Sequence, residues 1–225
     1  ALNINSKFIS NVLKKSNTKI IIVAGTNGKT TTGRLITSII RENNKTFLQN
    51  KAGANLLNGL ASTIVRGANV GGKLKQDYLI FESDENVLAK VIEQTNPDYV
   101  ICLNLFRDQL DRYGEIDSIA KKWHTSFEKL NSNTTLILNA DDPQIAYLSK
   151  NTKAKSLYLG LSSNNGKEKT QHGADSTHCP NCSIKLEYKS VYFSHLGDWE
   201  CPNCKLKRPK TDISELTYYP LDGTY

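Results

Sequence analysis

Short apolar runs and longer amphipathic stretches alternate over the first 160 residues. Six runs are β-prone and almost continuously apolar: 19–24 (KIIIVA), 46–49, 77–81 (DYLIF), 98–103 (DYVICL), 134–138 (TTLIL) and 156–159. Between them, 30–43, 56–65, 86–94, 116–130 and 143–150 carry helical spacing; in the first, Leu35, Ile36, Ile39 and Ile40 fall on one side. Strands apolar on both faces, interleaved with amphipathic helices, predict an α/β fold: a mostly parallel sheet with helices on both faces. Ligands of such sheets sit beyond the carboxyl ends of the strands. The polar motifs of this chain each follow an apolar run, where such a site belongs.

The alternation stops near residue 161. Residues 161–177 form a polar connector, a cysteine-bearing module occupies 178–206, and 207–225 read as a β-prone return toward the first domain, residues 1–160.

The run 19–24 leads into Gly25-Thr26-Asn27-Gly28-Lys29-Thr30-Thr31 and then into a helix. Glycines let backbone N–H groups close around phosphate oxygens, and a helix N-terminus adds the positive end of its dipole. Lys29 is positioned to reach the β- and γ-phosphates of a nucleoside triphosphate, and Thr30 to offer its hydroxyl to Mg²⁺. The common phosphate-loop pattern would put its first glycine at residue 23, which is Val23; here the glycine stands at 25, so the loop is a variant. A plain Gly-rich turn before a helix is the alternative.

Acidic and polar clusters follow three later strands. In Glu82-Ser83-Asp84-Glu85 a carboxylate could hold magnesium, a hard cation that prefers oxygen ligands. Glu82 is the first choice and Glu85 the second, whereas Asp84 suits a helix cap. The run 104–115 (NLFRDQLDRYGE) concentrates opposed charge and aromatic residues, fitting either a catalytic segment or a solvated loop. In Asn139-Ala140-Asp141-Asp142-Pro143, Asn139 and Asp142 could contact adenine or ribose; Asp142 could equally cap a helix whose first residue is Pro143.

Cys179-Pro180-Asn181-Cys182 and Cys201-Pro202-Asn203-Cys204 are separated by 18 residues. This is zinc-ribbon spacing. Two such knuckles present four thiolates to one point and build a closed, structural tetrahedral Zn²⁺ site. Disulfides or a rubredoxin-like iron site are the other uses of this pattern. His178 and His195 read as non-ligands, because four cysteines complete the shell. Cys102, within an apolar run, reads as an inert core thiol.

These motifs, in this order, resemble the ATP-binding central domain of the Mur ligase family, which joins a carboxylate to an amine using ATP. GTNGKTT after a strand and NADDP after a later one carry the resemblance, over about residues 19–160. The run 104–115 and the inserted cysteine module resemble the branch that amidates the cell-wall precursor lipid II. That resemblance implies phosphorylation of the D-glutamate α-carboxylate of the peptidoglycan stem peptide. Ammonia from a GatD-like glutamine amidotransferase partner would then attack the acyl phosphate and give D-isoglutamine. It implies ATP, Mg²⁺ and Zn²⁺ as cofactors, Lys29 and Glu82 as catalytic groups, and Asn139 and Asp142 near the nucleotide. It also implies a cytoplasmic protein acting at the inner membrane face, and a further C-terminal domain supplying catalytic residues. Two departures stand out. Gln109 occupies a stretch where many relatives have a histidine. Neither Lys121 nor Lys122 can be assigned to the carbamylated lysine that many use.

Composition narrows the alternatives. The chain is 38% apolar and 23% charged, lacks methionine, and contains no apolar run near the ~18 residues of a membrane span. The formal charge is +7, with 21 Lys and Arg against 14 Asp and Glu in residues 1–160, and 8 against 8 in 161–225. The basic surplus therefore travels with the phosphate loop; an anionic ligand explains it, and so does a generally basic, well-solvated surface. A zinc-ribbon ATPase acting on nucleic acid would instead need a basic ribbon. A folylpolyglutamate synthase-like ligase is the other alternative, and the cysteine module with the 104–115 run argues against it.

Overall fold

The computed structural model describes residues 7–51, 53–106, 115–161 and 177–214. Its centre is a parallel sheet of seven strands: β1 (Lys19–Ala24), β2 (Phe47–Gln49), β3 (Tyr78–Ser83), β4 (Tyr99–Cys102), β5 (Thr135–Asn139), β6 (Lys155–Gly160) and the short β9 (Ile213–Ser214). Their spatial order is β2-β3-β1-β4-β5-β6-β9. The predicted α/β class, with helices on both faces of a mostly parallel sheet, is the architecture found.

Strand alternation divides the core. Ile20, Ile22 and Ala24 of β1 join Leu79, Phe81, Val100, Leu136 and Leu138 on one face. That face is covered by α1 (Phe8–Lys14), α3 (Leu57–Gly67), α4 (Leu88–Thr95) and α5 (Glu115–Phe127), with Trp123 and Phe127 fully buried. Ile21, Val23, Ile80 and Ile101 point the other way, toward α2 (Lys29–Glu42).

The structure corrects two expectations. Helix α1 has no counterpart among the helices expected from spacing, because its seven residues hold only two turns of apolar periodicity. The buried side of α2 is Gly33, Thr37 and Ile40, while Leu35 and Ile39 are 61% and 64% exposed. The helix lies against β3 through its smallest residue, which turns Leu35 and Ile39 outward.

Strand β1 is flanked by β3 and β4: the chain leaves β1 to one side through β2 and β3, then crosses to its other side at β4. Such a reversal opens a crevice at the carboxyl end of the strand. The loops after β1, β3, β4 and β5 gather along that edge.

The cysteine module is a pair of knuckles around the antiparallel hairpin β7 (Glu187–Phe193) and β8 (Leu196–Glu200). Its small core of Cys179, Leu186, Trp199 and Cys201 includes Ala146 of α6 (Pro143–Tyr147) and is backed by Tyr158 of β6. The module therefore shares packing with the sheet domain. No helix among the described residues is long and apolar enough to cross a membrane.

Candidate nucleotide site and cysteine module

The phosphate loop leaves β1 through two backbone positions that demand glycine. Gly25 has φ 144°, and a Cβ there would lie 3.0 Å from Leu103 Cβ; Gly28 has φ 86°. Both lie in the left-handed region that side chains disfavour. Gly28 is the residue before α2 and brings no side-chain cap, so the first-turn amides of the helix stay available to a ligand.

Lys29 folds back over the loop. Its Nζ donates to the carbonyls of Gly25 and, at 3.0 Å, Thr26, and lies 3.7 Å from Glu85 Oε2. Thr30 Oγ1 donates to Glu82 Oε2 at 2.7 Å. The lysine, the hydroxyl and the two carboxylates favoured from sequence thus meet at one strand edge. Asp84 serves the backbone, accepting from Asn86 N–H at 2.9 Å.

Glu82 is only 5% exposed and is held on three sides. Gln49 Nε2 donates to its Oε1 at 3.1 Å. Asn50 accepts from the Glu82 N–H and donates to its carbonyl, at 2.9 and 3.1 Å. Trp123 Nε1 donates to the Glu85 carbonyl at 2.8 Å, tying the acidic turn to α5. Neither Gln49 nor Asn50 is singled out by the sequence motifs. Their signal is position: both follow the apolar residues of a strand, on the ligand edge of the sheet.

The segment after β4 grips the loop from the other side. Thr26 N–H donates to the Asn104 carbonyl at 3.0 Å, and Asn27 N–H to Asn104 Oδ1 at 2.9 Å. Phe106 N–H donates to Thr26 Oγ1 at 2.9 Å. The rest of the 104–115 run, from 107 to 114, lies outside the described residues, Gln109 included.

Asn139 and Asp142 are committed internally. Asn139 donates to the Leu103 carbonyl at 2.8 Å and accepts from Asp141 N–H at 2.9 Å. Asp142 is fully buried and caps α6 by accepting from Gln144 and Ile145 N–H at 2.9 and 3.2 Å. Its second oxygen accepts from Leu105 N–H at 2.9 Å and meets His195 Nε2 at 3.3 Å. His195, a hairpin-turn residue, is fully buried. Beside it, Asp141 pairs with Arg208 at 2.6 Å. Burial raises the Asp141 carboxyl pKa above its ordinary value, against the opposing pull of the Leu161 N–H and Arg208.

The sulfur atoms of Cys179, Cys182, Cys201 and Cys204 all lie within 4.8 Å of one another. Separations of 3.5 Å (Cys179 to Cys204) and 3.4 Å (Cys182 to Cys201) far exceed a disulfide bond. They approach the ~3.8 Å between sulfurs of a tetrahedral zinc site. The donor set fits Zn²⁺. Hydrogen bonds from the Asn181 side chain and the Leu206 N–H lower the Cys204 thiol to about 6, whereas burial pushes the Cys179 thiol up to about 12. Cys102 is fully buried, and burial pushes its thiol well above the ordinary range.

A mostly parallel sheet with a strand–loop–helix phosphate cradle and acidic strand ends defines the class. The Mur ligase middle domain family matches residues 23–203, and the chain belongs to that family. Among curated proteins, it is 32% identical over 203 residues to the MurT subunit of the glutamine-hydrolyzing lipid II isoglutaminyl synthase of Staphylococcus aureus (strain COL). That match covers 89% of this chain and 45% of the relative. The MurT subunit of Streptococcus pneumoniae is 30% identical over 213 residues, covering 94% and 46%. The chain thus spans about half the length of the curated relatives it matches. The MurF ligase of Thermotoga maritima in complex with ADP shares the fold, with TM-score 0.59 and 18% identity over 71% of this chain and 36% of that one.

Proposed function

We propose that this chain carries the ATP-binding part of an ATP-dependent carbon–nitrogen ligase that amidates the D-glutamate α-carboxylate of the lipid II stem peptide. The observation that carries the reading is the meeting of Lys29, Thr30 and Glu82 at the edge where β1 and β3 end, with the amides of α2 uncapped beside them. The likeness to two MurT subunits supports the choice among Mur-type reactions.

In this reading the loop Gly25–Thr31 holds the phosphates of ATP, with the uncapped amides at the start of α2 donating to them while the Thr26 and Asn27 amides stay with Asn104. Lys29 swings from the Gly25 and Thr26 carbonyls to the β- and γ-phosphates, and Glu85 compensates its charge when the site is empty. Thr30 and Glu82 would supply hard oxygen ligands for Mg²⁺, which would offset the negative charge of the phosphates. A carboxylate oxygen of the substrate attacks the γ-phosphorus, and ADP leaves. The product is an acyl phosphate. Ammonia then attacks the acyl carbon and inorganic phosphate departs, leaving the amide. Lys29 stabilises charge that grows on the transferring group and contributes on the order of 10²–10³ in rate. Asn139 and Asp142 lie near the nucleotide in this scheme and act by holding the segment after β4. A GatD-like glutamine amidotransferase supplies ammonia, and the reaction runs at the inner membrane face where lipid II is presented. Zn²⁺ on the four cysteines is structural.

The test is reconstitution of the full-length protein with a glutamine amidotransferase subunit, ATP, Mg²⁺ and lipid II. Amidated lipid II is expected with the wild type and none with Lys29→Ala. ATP binding without any amidated product overturns the assignment.

A further inference from the structure

The cysteine module and the phosphate loop lie far apart in sequence, yet a continuous set of hydrogen bonds joins them. It begins at the hairpin turn between β7 and β8. Turn residues normally face solvent; His195 instead has no exposed surface. Ser194, at φ 53°, takes the left-handed conformation that lets the chain reverse there. Tyr188 Oη donates to the His195 carbonyl at 2.9 Å and fixes the turn from within the module.

The ring reaches Asp142 on the sheet domain through Nε2 at 3.3 Å, which places the proton on that nitrogen. Nδ1 is buried and has no hydrogen-bond partner among the described residues. A carboxylate needs only one oxygen to cap α6, and Asp142 Oδ1 does this alone. Oδ2 is shared between the module's His195 and the Leu105 N–H. Leu105 lies between Asn104 and Phe106, the two residues that clasp Thr26 and Asn27. The Thr26 carbonyl is in turn a seat of the Lys29 amino group. The Phe106 ring also stands edge-on to the His195 ring, with centroids 4.8 Å apart.

Three further contacts clamp the same short stretch. Trp199 Nε1 donates to the Ala140 carbonyl at 3.0 Å, Gly197 N–H to the Asp141 carbonyl at 3.0 Å, and Arg208 pairs with the Asp141 carboxylate. The module thus holds Ala140, Asp141 and Asp142 in succession. Of these contacts, the one between His195 and Asp142 reaches the Leu105 N–H through a single carboxylate oxygen.

We propose that His195 is a positioning residue for nucleotide binding: through Asp142 and Leu105 it couples the cysteine module to the clasp that shapes the phosphate loop. The proposal rests on the reading that ATP binds at Gly25–Thr30. It gives the module a task beyond stability, because the module supplies the donor that holds one side of the nucleotide loop. Linkage makes the coupling reciprocal: if the module favours the binding-competent loop, nucleotide must tighten the module.

The experiment compares the wild type with His195→Phe, which keeps a ring against Phe106 but removes the donor, and with His195→Gln, which restores an N–H at the outer ring position. ATP affinity is measured by calorimetry with Mg²⁺, at a temperature where each protein is folded. Zinc content and amide hydrogen exchange are followed in parallel. His195→Phe is expected to retain zinc, to bind ATP about tenfold more weakly, a change of ~1.4 kcal/mol, and to exchange faster at residues 25–27 and 104–106. The strand cores should not change. His195→Gln is expected to recover most of the affinity, which a purely volumetric role would not allow.

Should His195→Phe fail to fold, the wild type alone decides the matter: ATP must slow exchange in the hairpin around 193–197 as well as in the loop. Slowing confined to residues 25–32, or wild-type affinity in His195→Phe, overturns the coupling and leaves the nucleotide reading intact. A wild type that binds no ATP overturns both.

Discussion

Thr30 Oγ1 donates to Glu82 Oε2 across 2.7 Å, although 52 residues separate the two in sequence. The register of the sheet brings them together. Val23 of β1 stands opposite Glu82 of β3, so the carboxylate emerges beside the loop that β1 feeds. Gly33 completes the approach: a Cβ there would lie 2.7 Å from Gln49 Nε2 and 2.9 Å from Glu82 Oε1. The smallest residue of α2 thus makes room for the carboxylate that its first turn engages.

Replacing Glu82 should therefore damage metal-dependent binding above all. In Glu82→Gln the Thr30 contact can persist, but the negative ligand is gone. The gain in ATP affinity on adding Mg²⁺ is expected to fall about tenfold or more, with metal-free binding nearly unchanged. Calorimetry with and without Mg²⁺ checks this. An unchanged magnesium effect assigns the metal to another carboxylate, Glu85 first.

Gln49→Ala should give a weaker form of the same defect. The amide orients Glu82 without supplying charge, and a net hydrogen bond contributes about 1 kcal/mol. A loss of about threefold to tenfold in kcat/KM is expected, without the loss of the magnesium effect seen for Glu82→Gln.

Stripping the cysteine module of metal should expose four thiols and no more. Cys179, Cys182, Cys201 and Cys204 become reactive toward a disulfide reagent once a chelator has acted. Cys102, fully buried and with its thiol pushed up by burial, waits for unfolding. Timed thiol counts under native and denaturing conditions measure this. A fifth fast thiol contradicts the buried placement of Cys102.

Arg208→Ala should destabilise the protein through Asp141. Both side chains are largely buried, at 11% and 5% exposed, so removing the cation strands a carboxylate. Breaking such a pair costs about 3–5 kcal/mol. The sign with pH follows from the direction of the shift. Burial already raises the Asp141 pKa above its ordinary 3.8, and without Arg208 it rises further. The folded state then holds the proton more tightly than the unfolded state. The Asp141 share of the penalty is therefore full at neutral pH, shrinks as pH falls through the variant's raised pKa, and is gone below the wild type's own raised value, still above 3.8. Unfolding of wild type and variant at several pH values tests it; a difference independent of pH removes Asp141 from the explanation.

Much of this was legible in the residues, for identifiable reasons. Buried parallel strands carry nearly unbroken apolar runs, so 19–24 and 77–81 announced β1 and β3, and the polar residues directly after each run fell at the ligand edge. The loop and the cysteine pairs are local motifs whose chemistry survives in spacing. Contacts between distant segments were not legible. Nothing around His195 marks it as buried, because its partner lies 53 residues earlier on another element. Arg208 was hidden for the same reason. The buried side of α2 was misjudged because apolar spacing marks a stripe, whereas close approach to β3 selected Gly33 and left Leu35 and Ile39 outside. Asp142 carried two readings, cap and ligand contact; the structure uses it as a cap and as a bridge to Leu105 and His195.

If, as proposed, ATP activates a carboxylate by direct phosphoryl transfer at this loop, an oxygen atom of that carboxylate passes to the phosphate. Full-length protein and its amidotransferase partner are incubated with ATP, Mg²⁺ and lipid II labelled with ¹⁸O in the D-glutamate α-carboxylate, and the released phosphate is analysed by mass spectrometry. One ¹⁸O atom is expected in the inorganic phosphate for each amide formed, and no labelled phosphate with Lys29→Ala. Amidated product accompanied by unlabelled phosphate rules out direct phosphoryl transfer to the carboxylate.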